Sequence, residues 1–549
     1  MTIAMSRLLS SFRSSLPGYA PLTGNRFSDD TGSDDDLDEI DIEKSYARWA
    51  WSNPTWQRIS SITHTPILGL LLVFLSSCAK YLPLLLPSFV PTLYHRILRK
   101  KTAPASRPQR PLSATAYLDG LRGVAALTVY IFHYNYLWFP VLRNGWGSTE
   151  TDHLFWQLPV VRVLHSGRAS VTIFFIISGF VLTLKTLTAI HKGQGDKALD
   201  SLAGSLFRRP FRLYLPILVS TLIAAVLIRW DGIYIPNIGG GDIPPHAATW
   251  QEQFWNWLTV TERMVSPFRP VTGRENLWGN DYNGHLWTIP AEFKGSLQVF
   301  LWLLAFARSK RWVHVVGVGI AGYWQMAYGD FDQTLFCIGL LLSELSIVFP
   351  NSSPWLAAKV STTLRHAVTI ALFVLSCHLL SYPERHGPSS PGFRTISTLV
   401  PTYYQGNEDK IQQFWISVGA ITFVLALIEP LLQQLFTNAF AQYLGQISYS
   451  LYLWHGAANH IIGQRYLHPA WSAYQTAANG AAGLDNGGFV NEAAVVRATA
   501  MREYAWSWAG TTILNTFVLF WVSDLFHRGV DMHAVRLTRA LSTWALAKK

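Results

Sequence analysis

Between residues 112 and 530 the chain alternates apolar runs of helix length with short polar connections, the pattern of a polytopic membrane helix bundle. The runs fall near 118–140, 168–187, 213–230, 293–307, 312–328, 334–349, 366–381, 414–432, 444–463 and 508–526. They predict an all-α fold of about ten transmembrane helices. Several are shorter than the roughly 20 residues that a straight span needs, so helix ends are expected to move by a few residues.

Residues 1–60 lack this periodicity. Their acidic tract from Asp34 to Glu43 predicts a disordered cytosolic tail. It lacks the charged and apolar regions of a signal peptide, so insertion is expected to use internal segments. The stretch Pro66–Val90 is long enough to span, yet Lys80, Pro83 and Pro87 argue against a straight helix. It reads as an interfacial or re-entrant segment which, with the basic linker from His95 to Arg110, makes up residues 61–111. Residues 112–530 then form the membrane domain and 531–549 a basic C-terminal tail. Placing that linker in the cytosol also puts Lys192, Lys197, Arg208, Arg209 and Arg212 there, together with Arg308, Lys310, Arg311 and the C-terminal tail. An even number of spans with both termini cytosolic satisfies the alternation, in an endomembrane or the plasma membrane. Counting 66–90 as a full span would put one terminus outside.

Composition agrees with a bilayer setting. Only 14% of the 549 residues are charged, against about 25% in soluble domains. The 23 tryptophans suit the headgroup boundary. A net charge of +11 raises the question of nucleic acid, but the basic residues are spread through short loops without a recognition motif. The expected partner is the lipid bilayer. Cys78, Cys337 and Cys377 lie in apolar runs without metal-ligand spacing and are expected to be buried thiols.

Four polar clusters interrupt the apolar runs. Arg122 and His133 are eleven residues apart, roughly three helical turns, so they share one face about 16 Å apart along the axis. Asp119 lies one turn before Arg122. Ionisable groups inside a membrane helix mark a functional site, although an interfacial arginine and a packed histidine would give the same pattern. Arg209 and Arg212, at i and i+3 in Arg208-Arg-Pro-Phe-Arg212, can point together at phosphate oxygens or can simply anchor the helix. In His285-Leu-Trp287-Thr-Ile-Pro290-Ala-Glu292, the proline should open a helix and leave His285 in the loop before it. Glu292 is then either a helix-start carboxylate or the partner of a histidine. Ser448-Tyr449-Ser450-Leu-Tyr-Leu-Trp-His455 reads as a polar stripe or as packing hydroxyls with a bundle-facing histidine.

The chain has no Walker motif, dinucleotide fingerprint or Gly-x-Ser-x-Gly elbow. Gly239-Gly-Gly241 reads as a turn, and the sequon at Asn351 falls on a loop expected to face the cytosol, where it would go unused.

Taken in order, these pieces resemble the acyltransferase type 3 family of integral-membrane O-acyltransferases, and its fungal members most. The matching segments are Leu118-Asp-Gly-Leu-Arg-Gly-Val-Ala-Ala with Arg122 and His133, Ser170 through Ser178-Gly-Phe180, Arg209 with Arg212, Leu286 through Glu292-Phe, and Leu444 through His455. The Pro66–Val90 segment lies outside the shared pattern. The resemblance implies transfer of a short acyl group, chiefly acetyl, from cytosolic acyl-CoA to a hydroxyl of a sugar, lipid or natural product, without a metal. It implies His133 as base, with Arg122 and Glu292 beside it and Arg209 and Arg212 on the CoA phosphates. Asp119, Ser178, His285, Trp287, Ser448, Tyr449 and His455 are further candidates. A direct transfer and an acyl-histidine relay both fit. A transporter or flippase with an intramembrane Arg/His/Glu path is the reading from another class, and a catalytically silent scaffold is a third.

Overall fold

The computed structural model describes residues 112–230, 233–234, 246–266, 280–349, 361–486 and 490–546. The acidic tail, the Pro66–Val90 segment, Gly239–Gly241, the sequon at Asn351 and Cys78 lie outside these residues. The described chain is helical without a strand; its β contacts are two isolated bridges. In order come α1 (Ala116–Trp138), α2 (Gly167–His191), α3 (Gly195–Arg229), α4 (Trp250–Val265), α5 (Thr288–Phe306), α6 (Arg311–Ala327) and α7 (Phe331–Val348). They are followed by α8 (Thr362–Leu380), α9 (Glu408–Ala426), α10 (Ala439–Ala458), α11 (Gln464–Asn486), α12 (Val490–Phe526) and α13 (Met532–Ala545).

Every one of the ten apolar runs falls on a helix, and the fold is an all-α polytopic membrane bundle. Among the described residues, five helical segments are long and apolar enough to cross a bilayer by length and composition alone, six if a bent pair counts as one span. That pair is the run 414–432, which the sequence presents as a single stretch. Its chain bends by 103° between Ala426 and Pro430. Pro430 cannot donate to the helix before it and restricts Glu429, so the helix stops short. Large apolar side chains stay exposed on the flanks, including Leu301, Ile320, Ile513 and Phe517. In water such a surface would be a liability; against acyl chains it is solvated.

Other departures are extensions. Helix α3 begins at Gly195, so Arg208, Arg209 and Arg212 stand on the helix itself. The stretch between the apolar runs 213–230 and 293–307 holds α4, started by a capping box in which Thr249 and Glu252 satisfy each other's backbone N–H groups. Gln253, Trp257, Val260 and Met264 of α4 face the bundle, whereas Trp250, Phe254, Trp255 and Leu258 face outward. Between α10 and α11 the helix continues through a wide π turn, Asn459–Gly463. Residues 532–545, read as part of a tail, form α13, whose Ser542 accepts a hydrogen bond from Arg208 Nη1 at 3.3 Å.

Two glycine contacts set the helix spacing. A Cβ on Gly123 of α1 would collide with the backbone nitrogen of Gly445 in α10, and one on Gly445 with the carbonyl of Asp119. Likewise Gly179 of α2 lies on the carbonyl of Phe336 and Gly339 of α7 on that of Ile176. Lipid gives helices no hydrophobic reason to associate, so close backbone approach and van der Waals packing carry the contact. Around these crossings lie two apolar clusters, one centred on Ile176, Phe336 and Leu340, the other on Tyr134, Ile217 and Leu451. Cys337 and Cys377 are buried free thiols.

The crossing yields a test. Gly123→Leu should destabilise the detergent-solubilised protein by about 1–3 kcal/mol or more, as overpacking does. It should register as a lower melting temperature, whereas Gly319→Ala, inside α6 with nothing within 4 Å of its Cβ position, should leave that temperature the same or slightly raised.

Candidate active site

Because α1 and α10 touch at glycine, the residues beside the contact meet. Arg122 donates from Nε to Ser448 Oγ at 3.1 Å and from Nη2 to the Gly445 carbonyl at 3.4 Å, and pairs with Asp119 at 3.2 Å. Both ends of that pair are substantially exposed, so the ion pair contributes little by itself. The next residue, Tyr449, reaches the other way and donates to the Leu213 carbonyl of α3 at 2.5 Å. Adjacent residues of α10 thus bring α1 at Arg122 and α3 at Leu213 to one level of the bundle.

Glu292 does not cap its helix and does not pair with His285. It stands on the second turn of α5, where Oε1 accepts from Arg209 Nη2 at 2.7 Å and from Ser178 Oγ at 3.0 Å. Arg209 Nε donates to Ser296 Oγ at 2.8 Å, and Ser296 donates to the Glu292 carbonyl at 2.6 Å. The side chains are 10% and 23% exposed, which makes this an interior, hydrogen-bonded pair. Arg209 and Arg212 therefore part company. Arg209 turns into the bundle, while Arg212 is exposed and has no ion-pair partner among the described residues.

Seven residues beyond Ser448, about 10 Å along α10, three histidines gather. The ring centroids of His285 and His455 are 4.0 Å apart, those of His133 and His455 5.1 Å, and those of His133 and His285 6.1 Å. Pro290 falls in the first turn of α5, and His285 occupies the short turn Gly284–Trp287 before it, as its sequence predicts. That turn is fastened to α10, because Thr288 Oγ1 and Tyr452 hydroxyl bond at 2.6 Å and Tyr452 donates to the His285 carbonyl. Trp287 closes the turn, half-buried. His455 Nδ1 hydrogen-bonds the Tyr452 carbonyl at 2.7 Å.

Of the three, His133 is the exposed one, whereas His455 is buried. The three imidazoles do not form a metal centre, and no group of His, Cys, Asp or Glu among the described residues is placed to hold an ion.

The sequence presented these groups as separate clusters; the structure brings Arg122 to Ser448, Glu292 to Arg209 and Ser178, and His133 to His285 and His455. It adds Asn283, Thr288 and Tyr452, which the sequence did not single out. Gly456 leaves room for two of the gathered residues, because a Cβ there would crowd His285 and Asn283.

The helix bundle thus holds a cluster of three imidazoles and an interior Arg209–Glu292 pair. The profile of an acyltransferase domain matches residues 115–526, and the chain belongs to the acyltransferase type 3 family. It is 32% identical over 400 residues to the O-acetyltransferase PaAT-1 of Phomopsis amygdali, covering 68% of this chain and 78% of that one. It is 25% identical to acyltransferase R4 of a Phoma species, over 63% of this chain and 83% of the other. Identity to acyltransferase clz18 of Cochliobolus lunatus is 24%, over 65% and 84%. No solved structure matches. The protein is thus a multi-pass membrane O-acyltransferase, transferring groups other than amino-acyl groups.

The interior pair makes a separable prediction. Arg209→Met, which strands the Glu292 carboxylate, should destabilise by about 3 kcal/mol or more. Adding Glu292→Gln should restore much of the melting temperature without restoring acyl transfer.

Proposed function

We propose that this protein moves an acetyl group from acetyl-CoA to a hydroxyl of a small-molecule, glycan or lipid acceptor, with His133 as the base. The observation that carries this reading is the exposed His133 side chain, flanked by two more imidazoles within the helix bundle. The relatives named as acyltransferases and as an O-acetyltransferase support it.

An alcohol is a weak nucleophile near neutral pH. A lone pair on His133 takes its proton as the oxygen attacks the thioester carbonyl carbon. The C–O bond forms, the C–S bond breaks with its electrons going to sulfur, and the thiolate regains the proton from His133 to leave as the CoA thiol. No proton or electron is gained or lost overall. The Arg209–Glu292 pair, held at 2.7 Å, supplies a preorganised charge pair of the kind that favours a developing oxyanion.

The donor's phosphates are assigned to the arginine end. Arg212 offers an unpaired, exposed guanidinium, and Arg122 stands at the same level of the bundle through the Ser448–Tyr449 pair. Helix α13 lies at this end too, through Arg208 and Ser542. With the basic loops on the cytosolic side, the donor enters from the cytosol and its thioester extends along α10 toward the imidazoles.

Purified protein incubated with radiolabelled acetyl-CoA and a total extract of the native host should label an extractable product. His133→Ala should abolish that label while inserting and folding normally; near wild-type turnover would refute the base assignment. Arg212→Ala should raise the apparent KM for acetyl-CoA about tenfold, with little change in the acceptor's, in line with losing one charge-assisted contact.

A further inference from the structure

Arg122 stands near the first turns of α1, and a second group of charges gathers past the other end of that helix, on the side of His133. Tyr136 lies one turn beyond His133. Around its ring are the guanidinium groups of Arg143, Arg162 and Arg168 with the carboxylate of Glu384. Two of these, Arg168 and Arg143, are near enough for their charges to act on the His133 ring as well. Asp409 pairs with Arg168 from the outside, so three cations meet two anions.

Three of the four groups around Tyr136 are committed. Arg162 is fully buried and donates to the carbonyls of Leu142 at 2.6 Å, Asn144 at 2.8 Å and Ser381 at 3.2 Å. Arg168 donates to Asp409 at 2.6 Å and to Gln412 at 2.9 Å, and its Nε lies 3.4 Å from Glu384. Glu384, itself buried, faces Arg168 with one oxygen and Arg143 with the other. Arg143 is the group left over. Its Nε is 3.8 Å from Glu384, too long for a hydrogen bond, and its side chain makes none among the described residues. That side chain is 35% exposed, with the guanidinium carbon 5.7 Å from the centroid of the Tyr136 ring.

The backbone fixes where Arg143 stands. Arg162 grips the carbonyls on both sides of it, at Leu142 and Asn144. The Arg143 carbonyl accepts from Glu384 N and Arg385 N at 3.1 Å each. A buried cation is thus used to hold the segment that presents an exposed one. A guanidinium positioned in advance can take two oxygens of a carboxylate or phosphate without first giving up a hydrogen bond.

We propose that Arg143 binds an anionic group of the acceptor, a carboxylate or a phosphate, and so holds the acceptor's hydroxyl at His133. The proposal rests on the acyl-CoA reading above and adds to it the charge of the acceptor. Donor and acceptor anions then engage different cations, Arg212 at the Arg122 end of the bundle and Arg143 past the other end of α1. Two negatively charged substrates therefore do not compete for one site.

The charge of the native product tests this directly. Full-length protein in lipid nanodiscs is incubated with radiolabelled acetyl-CoA and the host extract, and the remaining acetyl-CoA is destroyed with neutral hydroxylamine, which cleaves thioesters and spares oxygen esters. The labelled ester should be retained on an anion-exchange resin at neutral pH. Retention lost to phosphatase or phosphodiesterase marks a phosphate; retention that survives both marks a carboxylate. A labelled ester that passes through uncharged overturns the proposal and leaves the acyl-CoA reading standing, whereas no labelled ester at all ends both. With the deacetylated product as acceptor, Arg143→Gln should raise the acceptor's apparent KM about tenfold without moving that of acetyl-CoA, and Arg143→Lys should recover part of the loss. An unchanged acceptor KM in folded Arg143→Gln also overturns the site. Should that variant fail to fold, the charge of the wild-type product still decides.

Discussion

The site depends on the absence of two side chains. Where Gly123 and Gly445 meet, the backbones of α1 and α10 touch, and only at that spacing can Arg122 reach Ser448 and the His133 ring approach that of His455. Residues more than 300 positions apart in the chain are thereby set in register by a contact that has almost no chemistry of its own. Lipid offers no hydrophobic force between helices, so this register is held by packing and a handful of hydrogen bonds. The functional groups are then placed as passengers on two rods whose separation is fixed.

A second constraint keeps charge tolerable inside the bundle. Arg209 and Glu292 neutralise each other, with Ser178 adding a hydrogen bond to Glu292 and Ser296 accepting one from Arg209. The imidazole cluster is arranged differently. Its groups are not mutually satisfied, and the unpaired atoms sit on a turn that is itself well fastened. The interior thus holds one polar group that is closely paired and another that is not.

The fold was legible because its signal is additive: each apolar run, such as 168–187 in α2, states its own helix without reference to any other. Limits appeared where local chemistry overrides hydropathy. Pro430 breaks a run that reads as continuous, and α4 shares its apolar residues between two faces, so it does not look like a span. Within the site, residue types and several local placements were visible, such as His285 in a turn ahead of α5. The pairings were not. Glu292 looks like a helix-start carboxylate because nothing near it in sequence announces Arg209, 83 residues earlier. His133, His285 and His455 stand on three separate segments, and their convergence is a property of helix crossing that periodicity alone does not carry. Asn283 gave no sign, since an asparagine before a glycine ordinarily reads as a turn.

The turn bearing Asn283 and His285 hangs from α4 by the Tyr282 ring. The opposite side of α4 presents Trp250, Phe254, Trp255 and Leu258 outward, side chains that seek the depth of lipid headgroups. A helix that floats at a preferred depth makes the bilayer part of the scaffold. Bilayer thickness and headgroup packing then bear on the position of the turn that carries His285.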